Sequence, residues 1–404
     1  TVVTASTLTA EAGNGYWIDT TSNTCTITLP SSASAGDQIV FIDYARTWGT
    51  NKIIIDSNGL NYQGDADTFT VEYDTDGETL SIVYADATQG WIPLNDDDVT
   101  DAPVQPPTQK GVVAYGEAAS MLNMSNLINS SGVVATDTTG VGTARYNLGA
   151  CSYGGDKGIF AYGIAAGPSF LSMSNLVDNS GVIAADTTGV GTQRGGCRAA
   201  SYGYDKGIFA YGVTNYSPEN HVSVSNLVST SGVISTDVTG VGSARTSVGA
   251  CGYGTDKAIF GYGHAISPYY VSMTNLVSNT GVVATDTAGV GTALTDISAV
   301  GYGSSGLAMF FYGEISSATM VNTLNRISNT GVVGATISGV GTARRLAPAC
   351  RYGGDKAITA FGYVNAYSIN LSNLISSGGV IATDTTGVGT ARRGGGAAAY
   401  SFTA

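Results

Sequence analysis

The feature that most restricts the fold of this 404-residue chain is an internal repeat of about fifty residues. Tyrosine-glycine pairs recur at spacings of 49, 51, 49 and 50 residues, and four of the five are followed by an aspartate-lysine pair. A second phrase, Gly-Val-Gly-Thr-Ala-Arg or a near variant, occurs six times between Gly140 and Arg392. Six copies of one short unit indicate an array of equivalent elements, because each copy buries its apolar face only against its neighbours.

Within each copy the sequence predicts four short β-strands and no helix. Runs of β-branched, small and aromatic residues are separated by glycine-containing turns. In the copy that begins at Gly149, the four segments are 149–153, 158–162, 172–177 and 182–185. Four strands in each of six copies predict an all-β fold, with a six-bladed β-propeller over residues 110–404.

The two ends of the repeat region are incomplete in complementary ways. Residues 110–116 match the second strand of the other copies, and residues 392–400 match a connection and a first strand. We therefore expect the C-terminal strand to pair beside residues 111–115, so that one late strand and three early strands complete one blade. Such one-plus-three closure leaves no exposed edge strand.

The order of residues in each copy resembles the kelch repeat family. The resemblance is carried by Arg245, a small apolar strand, and residues 253–263 (Tyr-Gly-Thr-Asp-Lys-Ala-Ile-Phe-Gly-Tyr-Gly). It covers roughly residues 109–404, although no tryptophan follows Trp91, whereas kelch repeats carry one late in each copy. The Gly-Val-Gly-Thr-Ala-Arg phrase is similar to kelch-like repeats of bacteriophage structural proteins. This resemblance implies a virion protein of the tail-fibre type, and a homo-oligomer, since trimers are usual among phage fibres.

Residues 1–98 share none of these phrases and predict a separate module. Alternating runs such as 24–30, 37–43 and 79–84 indicate about seven strands in a small antiparallel, β-sandwich-like domain. The series from Thr26-Ile-Thr-Leu-Pro to Trp91 resembles a β-module of phage tail proteins, which implies attachment to other virion proteins. Residues 99–109, acidic and proline-bearing, predict an extended linker.

Charge and composition argue against several functions. Residues 1–108 carry 2 basic and 16 acidic groups and residues 109–404 carry 15 and 14, so neither part has the basic excess that binding of nucleic acid needs. Six glutamates and two histidines leave little for a catalytic triad. We therefore expect no enzyme activity, no cofactor and no nucleic-acid partner.

The sequence also shows no sign of a membrane or targeting segment. No apolar run of about 18 residues occurs, so membrane insertion is not expected. There is no basic leader followed by an apolar stretch, so no signal peptide is expected.

Charged residues recur at fixed positions of the copies, and two interpretations are open. They bind an acidic sugar at one mouth of the propeller, or they pair with one another as structural supports. The copy that has Leu294 in place of the arginine also lacks the aspartate-lysine pair and has Ala335 where a late aspartate is expected. Charges that disappear together favour the structural interpretation. The repeated charges are Arg145, Arg194, Arg245, Arg344, Arg392, Asp156, Asp205, Asp256 and Asp355.

The loop between the second and third strands varies most between copies, and it is the predicted ligand-binding region. A tyrosine or phenylalanine ring stacks on a sugar face and an amide meets sugar hydroxyls, so the content of these loops suits a carbohydrate. The alternative is that the aromatic residues pack on the sheets or on a neighbouring subunit. The predicted binding residues are Phe170, Tyr216, Asn220, His221, Tyr269, Tyr270 and Tyr367.

Two further residue types are interpreted as structural. His221 and His264 lie in corresponding loops, but a metal site needs further ligands, so no metal site is predicted. Cys151 shares its position in the repeat with Ala200 and Val300, which favours a small buried apolar residue over thiol chemistry.

Three functions compete at this point. The first is a tail fibre or surface appendage of a virion, whose propeller loops bind a glycan or protein of the host surface. The second is a capsid or tail decoration protein with a purely structural role. The third, a propeller glycosidase, requires two carboxylates about 5–9.5 Å apart, and the sequence offers no candidate pair.

Overall fold

The computed structural model describes residues 2–67, 71–94, 107–167, 169–316 and 319–404. These residues form strands and no helix, so the predicted all-β class is confirmed. The chain divides into two compact units, Thr1–Gln105 and Pro106–Ala404. Most of the predicted linker, residues 99–109, lies outside the described residues.

The first unit contains two sheets. Its strands are β1 (Val2–Val3), β2 (Thr7–Thr9), β3 (Gly15–Ile18), β4 (Cys25–Thr28), β5 (Gln38–Asp43), β6 (Ile53–Asp56), β7 (Val71–Tyr73), β8 (Thr79–Tyr84) and β9 (Trp91–Pro93). One sheet has the order β1-β3-β5-β8-β9, and the other has the order β2-β4-β6-β7. Successive strands from β1 to β6 therefore alternate between the two sheets.

The prediction of an antiparallel domain is wrong for the first six strands. β1, β3 and β5 pair in parallel, as do β2, β4 and β6, and antiparallel pairing begins only with β7, β8 and β9. The crossover that parallel pairing needs is supplied by the strand in the opposite sheet. The sequence did not reveal this arrangement because side chains alternate in the same way in parallel and antiparallel strands.

That alternation also builds the core of the first unit. Phe41 in one sheet and Ile27 and Ile53 in the other belong to one cluster and are fully buried. Trp48 and Trp91 are fully buried in the same cluster. Removal of these large apolar side chains from water is the main force that holds the two sheets together.

The second unit contains six equivalent three-stranded sheets, numbered here by their middle strands. Sheet 1 has β10 (Lys110–Glu117), β11 (Met121–Ile128) and β31 (Gly396–Tyr400); sheet 2 has β12 (Gly149–Tyr153), β13 (Lys157–Ala161) and β16 (Ser174–Val177); sheet 3 has β17 (Arg198–Tyr202), β18 (Lys206–Tyr216) and β19 (Glu219–Val228); sheet 4 has β20 (Gly249–Tyr253), β21 (Lys257–His264) and β22 (Tyr270–Val277); sheet 5 has β23 (Ser298–Tyr302), β24 (Leu307–Phe311) and β27 (Leu324–Ile327); sheet 6 has β28 (Ala349–Tyr352), β29 (Lys356–Val364) and β30 (Tyr367–Ile375). Two short hairpins follow the middle strands of sheets 2 and 5: β14 (Ile164–Ala165) with β15 (Ser169–Phe170), and β25 (Glu314–Ser316) with β26 (Thr319–Met320).

The predicted fourth strand of each copy is not a strand. In the second copy, residues 182–187 make only isolated bridges to β16, between Val177 and Ile183 and between Ser174 and Thr187. Between these two bridges, the buried side chain of Asn175 replaces backbone pairing: its Nδ2 donates to the carbonyl oxygen of Ala184 at 2.9 Å. A side-chain amide that satisfies a backbone carbonyl replaces a ladder hydrogen bond, and strand propensity does not report this competition.

A cycle of backbone hydrogen bonds joins the connections that precede the first strands. In each copy one N–H donates to the carbonyl oxygen of the corresponding residue in the previous copy, and Asn147 donates to Gly394 near the end of the chain. The N···O distances are 2.7–3.1 Å, and all six residues have left-handed φ values of 50–63°. The six residues are Asn147, Gly196, Ser247, Asp296, Leu346 and Gly394.

A second cycle joins the turns at the opposite ends of the same strands. Gly154 donates to the carbonyl oxygen of Asp205 in the next copy, and the same contact recurs until Ser401 donates to Asp156 at 2.8 Å. Both cycles visit six sheets and return to the first. Between them, one alanine from each first strand lines a common cavity of about 60 Å³. These alanines are Ala150, Ala199, Ala250, Ala299, Ala349 and Ala397.

Candidate functional site

The repeated arginines lie between neighbouring sheets and not around an open mouth. The Nη2 of Arg245 donates to Asn275 Oδ1 in sheet 4 at 2.6 Å, and its guanidinium carbon lies 4.2 Å from the ring centroid of Tyr211 in sheet 3. Burial lowers the pKa of Arg245, but the planar cation keeps an aromatic face and an amide oxygen as partners. All five side chains, including those of Arg145, Arg194, Arg344 and Arg392, are 0–1% exposed and make the same two contacts.

Aspartates late in five of the copies, which we call the late aspartates, complete these supports: Asp137, Asp186, Asp237, Asp286 and Asp384. Asp286 accepts hydrogen bonds from the backbone N–H and the hydroxyl of Ser243, and its Oδ1 lies 3.7 Å from Arg245 Nη1. Burial raises the pKa of Asp286, but hydrogen bonds from Ser243 and Asn275 outweigh it, so the pKa lies below its usual value. The turn aspartates have another partner: Asp156, Asp205, Asp256 and Asp355 each pair with the lysine that follows them.

The copy with Leu294 in place of the arginine also differs from the others at the position of the late aspartate. Leu294 is 1% exposed at the arginine position. The residue at the place of the late aspartate is Thr336 and not Ala335, since Asn325 Nδ2 donates to Thr336 Oγ1 at 3.0 Å where other copies present a carboxylate. A neutral partner therefore accompanies the neutral side chain, and the charges disappear together.

The variable loops lie at one end of the sheets, which we call the loop face. It consists of the loops after the middle strands and the connections before the first strands. Isolated bridges place the two side by side, as between Gly195 and Val213, Thr246 and His264, and Arg345 and Tyr363. The first cycle of hydrogen bonds lies in these connections, so the loops extend from a backbone that is held in place.

The structure places some of the predicted binding residues against another aromatic ring, across sheets 2 and 3 for Phe170 and within the β21–β22 loop of sheet 4 for Tyr269. The rings of Phe170 and Tyr216 are 5.4 Å apart, and Tyr269 stacks on His264 at 5.1 Å. Tyr216 and Tyr269 remain 47% and 61% exposed, so each pair is accessible to solvent in part. Tyr270 is partly buried and donates its hydroxyl to Glu314 Oε1 at 3.2 Å.

Two predicted residues do not join these pairs. Asn220 Nδ2 donates to Thr214 Oγ1 at 2.6 Å, so this amide stabilises its own loop. Tyr367 is 75% exposed and has no ring contact with another aromatic residue in the part of the chain that the structure describes. The predicted residues therefore form one aromatic pair among themselves, a second pair of Tyr269 with His264, and separate positions, not one continuous surface.

Sequence reasoning missed a chain of charges on the loop face. Arg345 Nη1 lies 2.8 Å from Asp296 Oδ2 and 2.9 Å from Glu314 Oε2. Between sheets 6 and 1, Arg393 pairs with Glu117 at 2.8 Å, and its guanidinium lies 4.1 Å from the ring centroid of Tyr363. A usable signal was present, because Arg345 and Arg393 each follow a repeated arginine and have no counterpart in the other copies.

Arg198 is another departure from the repeat that was overlooked. It begins the first strand of sheet 3, at the position where other copies have glycine, serine or proline. Its side chain lines the common cavity, and its Nη1 donates to the carbonyl oxygen of Cys197 at 2.9 Å. Burial lowers the pKa of Arg198, and the nearby Asp296 opposes that shift. A single cation thus faces the space between six first strands.

The two histidines meet at the interval between sheets 3 and 4. His221 and His264 have ring centroids 5.3 Å apart, and Glu219 Oε1 lies 2.9 Å from His221 Nε2 and 3.8 Å from His264 Nδ1. The side chain of His221 is 1% exposed. Burial lowers the pKa of His264, Glu219 opposes this, and the neighbouring His221 lowers it further. The sequence did not single out Glu219, because the pairing depends on contact between two different copies.

Four cysteines lie in strands, and Cys197 lies in the connection before β17. All five are free and buried, including Cys25 in the first unit. Burial raises the pKa of Cys151 and of Cys350 to about 12, which suppresses the reactive thiolate.

Comparison with known protein families and with curated proteins finds no match to this chain. Among the described residues, no helix has the length and apolar character needed to cross a membrane.

Proposed function

We propose that residues 110–404 form a six-bladed β-propeller in which β31 completes the first blade. Support comes from the antiparallel pairing of β31 with β10, which joins Val113 to Ala397. It also comes from the two cycles of backbone hydrogen bonds and from the cavity that all six first strands line. Each blade has three regular strands and an outer bridged segment.

We further propose that the protein is a virion surface protein, of tail-fibre or appendage type, whose loop face binds a glycan or protein of the host surface. The carrying observation is that exposed aromatic residues occur where the copies differ most. Phe170 with Tyr216, and Tyr269 with His264, each present an aromatic face on a held backbone. Binding residues on loops of a rigid scaffold are a common arrangement. In this proposal the first unit attaches the chain to other virion proteins, and the assembly is a homo-oligomer.

The test measures binding by the full-length chain to host-surface glycans on an array, and its ability to block virion adsorption to host cells. Tyr216→Ala and Tyr269→Ala are expected to weaken binding by about tenfold each, the scale of one stacking contact. Tyr204→Ala is the matched control, since Tyr204 is 62% exposed in a turn at the opposite end of the sheets. A native chain that neither binds host material nor blocks adsorption would refute the receptor role.

A second candidate is a decoration protein that only contacts other virion subunits. The observation that favours it is a set of equivalent valines, one in each copy, which are 61–66% exposed. They follow the glycines of the turns after the third strands, and these turns lie beside the turns of the second hydrogen-bond cycle, as the contact of Gly154 with the Thr230 carbonyl shows. The valines are Val133, Val182, Val233, Val282, Val332 and Val380. The position of the chain in a particle reconstruction separates the two candidates.

A further inference from the structure

Glu219, His221 and His264 form a compact group between two sheets. Glu219 and His221 belong to β19, and His264 is the last residue of β21. One nitrogen from each imidazole and one carboxylate oxygen all lie within 4.8 Å of one another. The chain has only two histidines, and both take part in this group.

The backbone around the group is held in place. His264 and Thr246 exchange two backbone hydrogen bonds of 2.8 Å, which fix the end of β21 against the neighbouring connection. His221 pairs with Val213 in the ladder between β18 and β19. The ring of Tyr269 stacks on His264 and limits its rotation. Preorganised ligands lose little entropy when they bind an ion.

The ring nitrogens that face Glu219, His221 Nε2 and His264 Nδ1, are the candidate ligand atoms. Neither His221 Nδ1 nor His264 Nε2 has a hydrogen-bond partner among the residues that the structure describes, although both atoms are buried. An imidazole binds an ion through the lone pair of an unprotonated ring nitrogen, so two such rings side by side can share one ion.

We propose that Glu219, His221 and His264 bind one divalent transition-metal ion of the zinc class. Two imidazole nitrogens and one carboxylate oxygen suit Zn²⁺, Co²⁺ or Ni²⁺, whereas Ca²⁺ and Mg²⁺ prefer sites made of oxygen ligands. Three protein ligands leave a coordination position for water or for an external ligand. The ion links the loops of sheets 3 and 4 at the loop face, so the proposal goes beyond the proposed receptor role and does not depend on it.

The test uses the full-length chain after treatment with a chelator, titrated with Zn²⁺ by calorimetry. We expect one ion per chain, and we expect Ca²⁺ and Mg²⁺ at the same concentration to give no saturable heat. His221→Gln and His264→Gln should each weaken Zn²⁺ binding by more than about 100-fold, since loss of a ligand exceeds the loss of an outer partner. Glu219→Gln should weaken it by at least about tenfold.

Two controls keep the outcome clear. Glu117→Gln removes a carboxylate at the position in sheet 1 that corresponds to His264 in sheet 4, and it should leave Zn²⁺ affinity unchanged. Visible absorption of bound Co²⁺ reports the ligand set of the native chain directly. The same absorption should be absent in His264→Gln. The thermal midpoint of each metal-free variant shows that it is folded. Absence of saturable Zn²⁺ binding, equal binding of Ca²⁺, or unchanged affinity in both histidine variants would overturn the proposal.

Discussion

Val113, in the first strand of the repeat region, pairs with Ala397 in the last strand of the chain. The two residues belong to opposite ends of six similar copies, yet they share one sheet. β10 therefore has a hydrogen-bonded neighbour on each side, as every middle strand of the other sheets does. The two cycles of backbone hydrogen bonds pass through Gly394 and Ser401, which lie immediately before and after this last strand.

The first prediction concerns this closure. Deletion of residues 396–404 leaves β10 with an exposed edge and opens the second cycle at Ser401. We expect the repeat region to lose cooperative unfolding and to aggregate, because an unpaired edge strand pairs with other chains. Urea unfolding and size-exclusion chromatography measure both effects. Deletion of only the exposed residues Thr403 and Ala404 is the control, and equal behaviour of the two deletions would contradict the prediction.

The second prediction concerns the buried arginines. Arg245→Leu leaves the buried Oδ1 of Asn275 without its donor and Asp286 without its cation, and we expect a loss of about 1–3 kcal/mol in the free energy of unfolding. Adding Asp286→Thr reproduces the combination that Leu294 and Thr336 show in the native chain, and it should recover part of the loss. A double-mutant cycle in urea measures the coupling. Full additivity of the two changes would mean that the charges do not support one another.

The third prediction concerns pH. The late aspartates have pKa values below the usual one in the folded state, since hydrogen bonds outweigh the effect of burial. A lowered folded-state pKa contributes stability above the unfolded pKa of about 3.9, and this stability is lost as the pH falls through the folded pKa. The urea midpoint should therefore fall as the pH drops below about 4. Asp286→Asn should reduce the slope, and Asp186→Asn in addition should reduce it further; an unchanged slope in the double variant would count against this account.

The fourth prediction concerns the thiols. Cys151 and Cys350 are buried with pKa values raised to about 12, and the other three cysteines are buried as well. At about pH 8 a soluble thiol reagent should modify none of them in the native chain, because the thiolate is the reactive form. After unfolding in urea, all five should react. Rapid modification of any native cysteine would place that residue in a mobile or accessible region.

Much of the fold was accessible from the sequence because the repeat supplied an internal alignment. The spacing of Tyr153, Tyr202 and Tyr253 predicted equivalent sheets, and the complementary half copies predicted the pairing of β31 with β10. Besides the placement of the late-aspartate position at Ala335, two local predictions of strand structure were wrong. Asn175 replaces part of the predicted fourth strand by a side-chain hydrogen bond, and the first unit winds in parallel where alternation alone suggested antiparallel strands.

The candidate sites were less accessible, because they are made where copies differ and where different copies meet. The loop tyrosines were singled out because their loops vary most between copies. Glu219 was not associated with His264, which belongs to the next sheet. Arg345 and Asp296 come from different connections and meet only across the loop face. Departures from the repeat, such as Arg198 and Arg393, were the one signal in the sequence that marked these positions.

By itself, the sequence determined the all-β class and the number of equivalent sheets, because the apolar strands and glycine turns are local features that recur in every copy. Only the tertiary structure decided strand direction in the first unit and the partners of each charge. Those depend on which surfaces meet after folding, and contacts between distant residues such as His221 and His264 leave no mark in the local pattern of either segment.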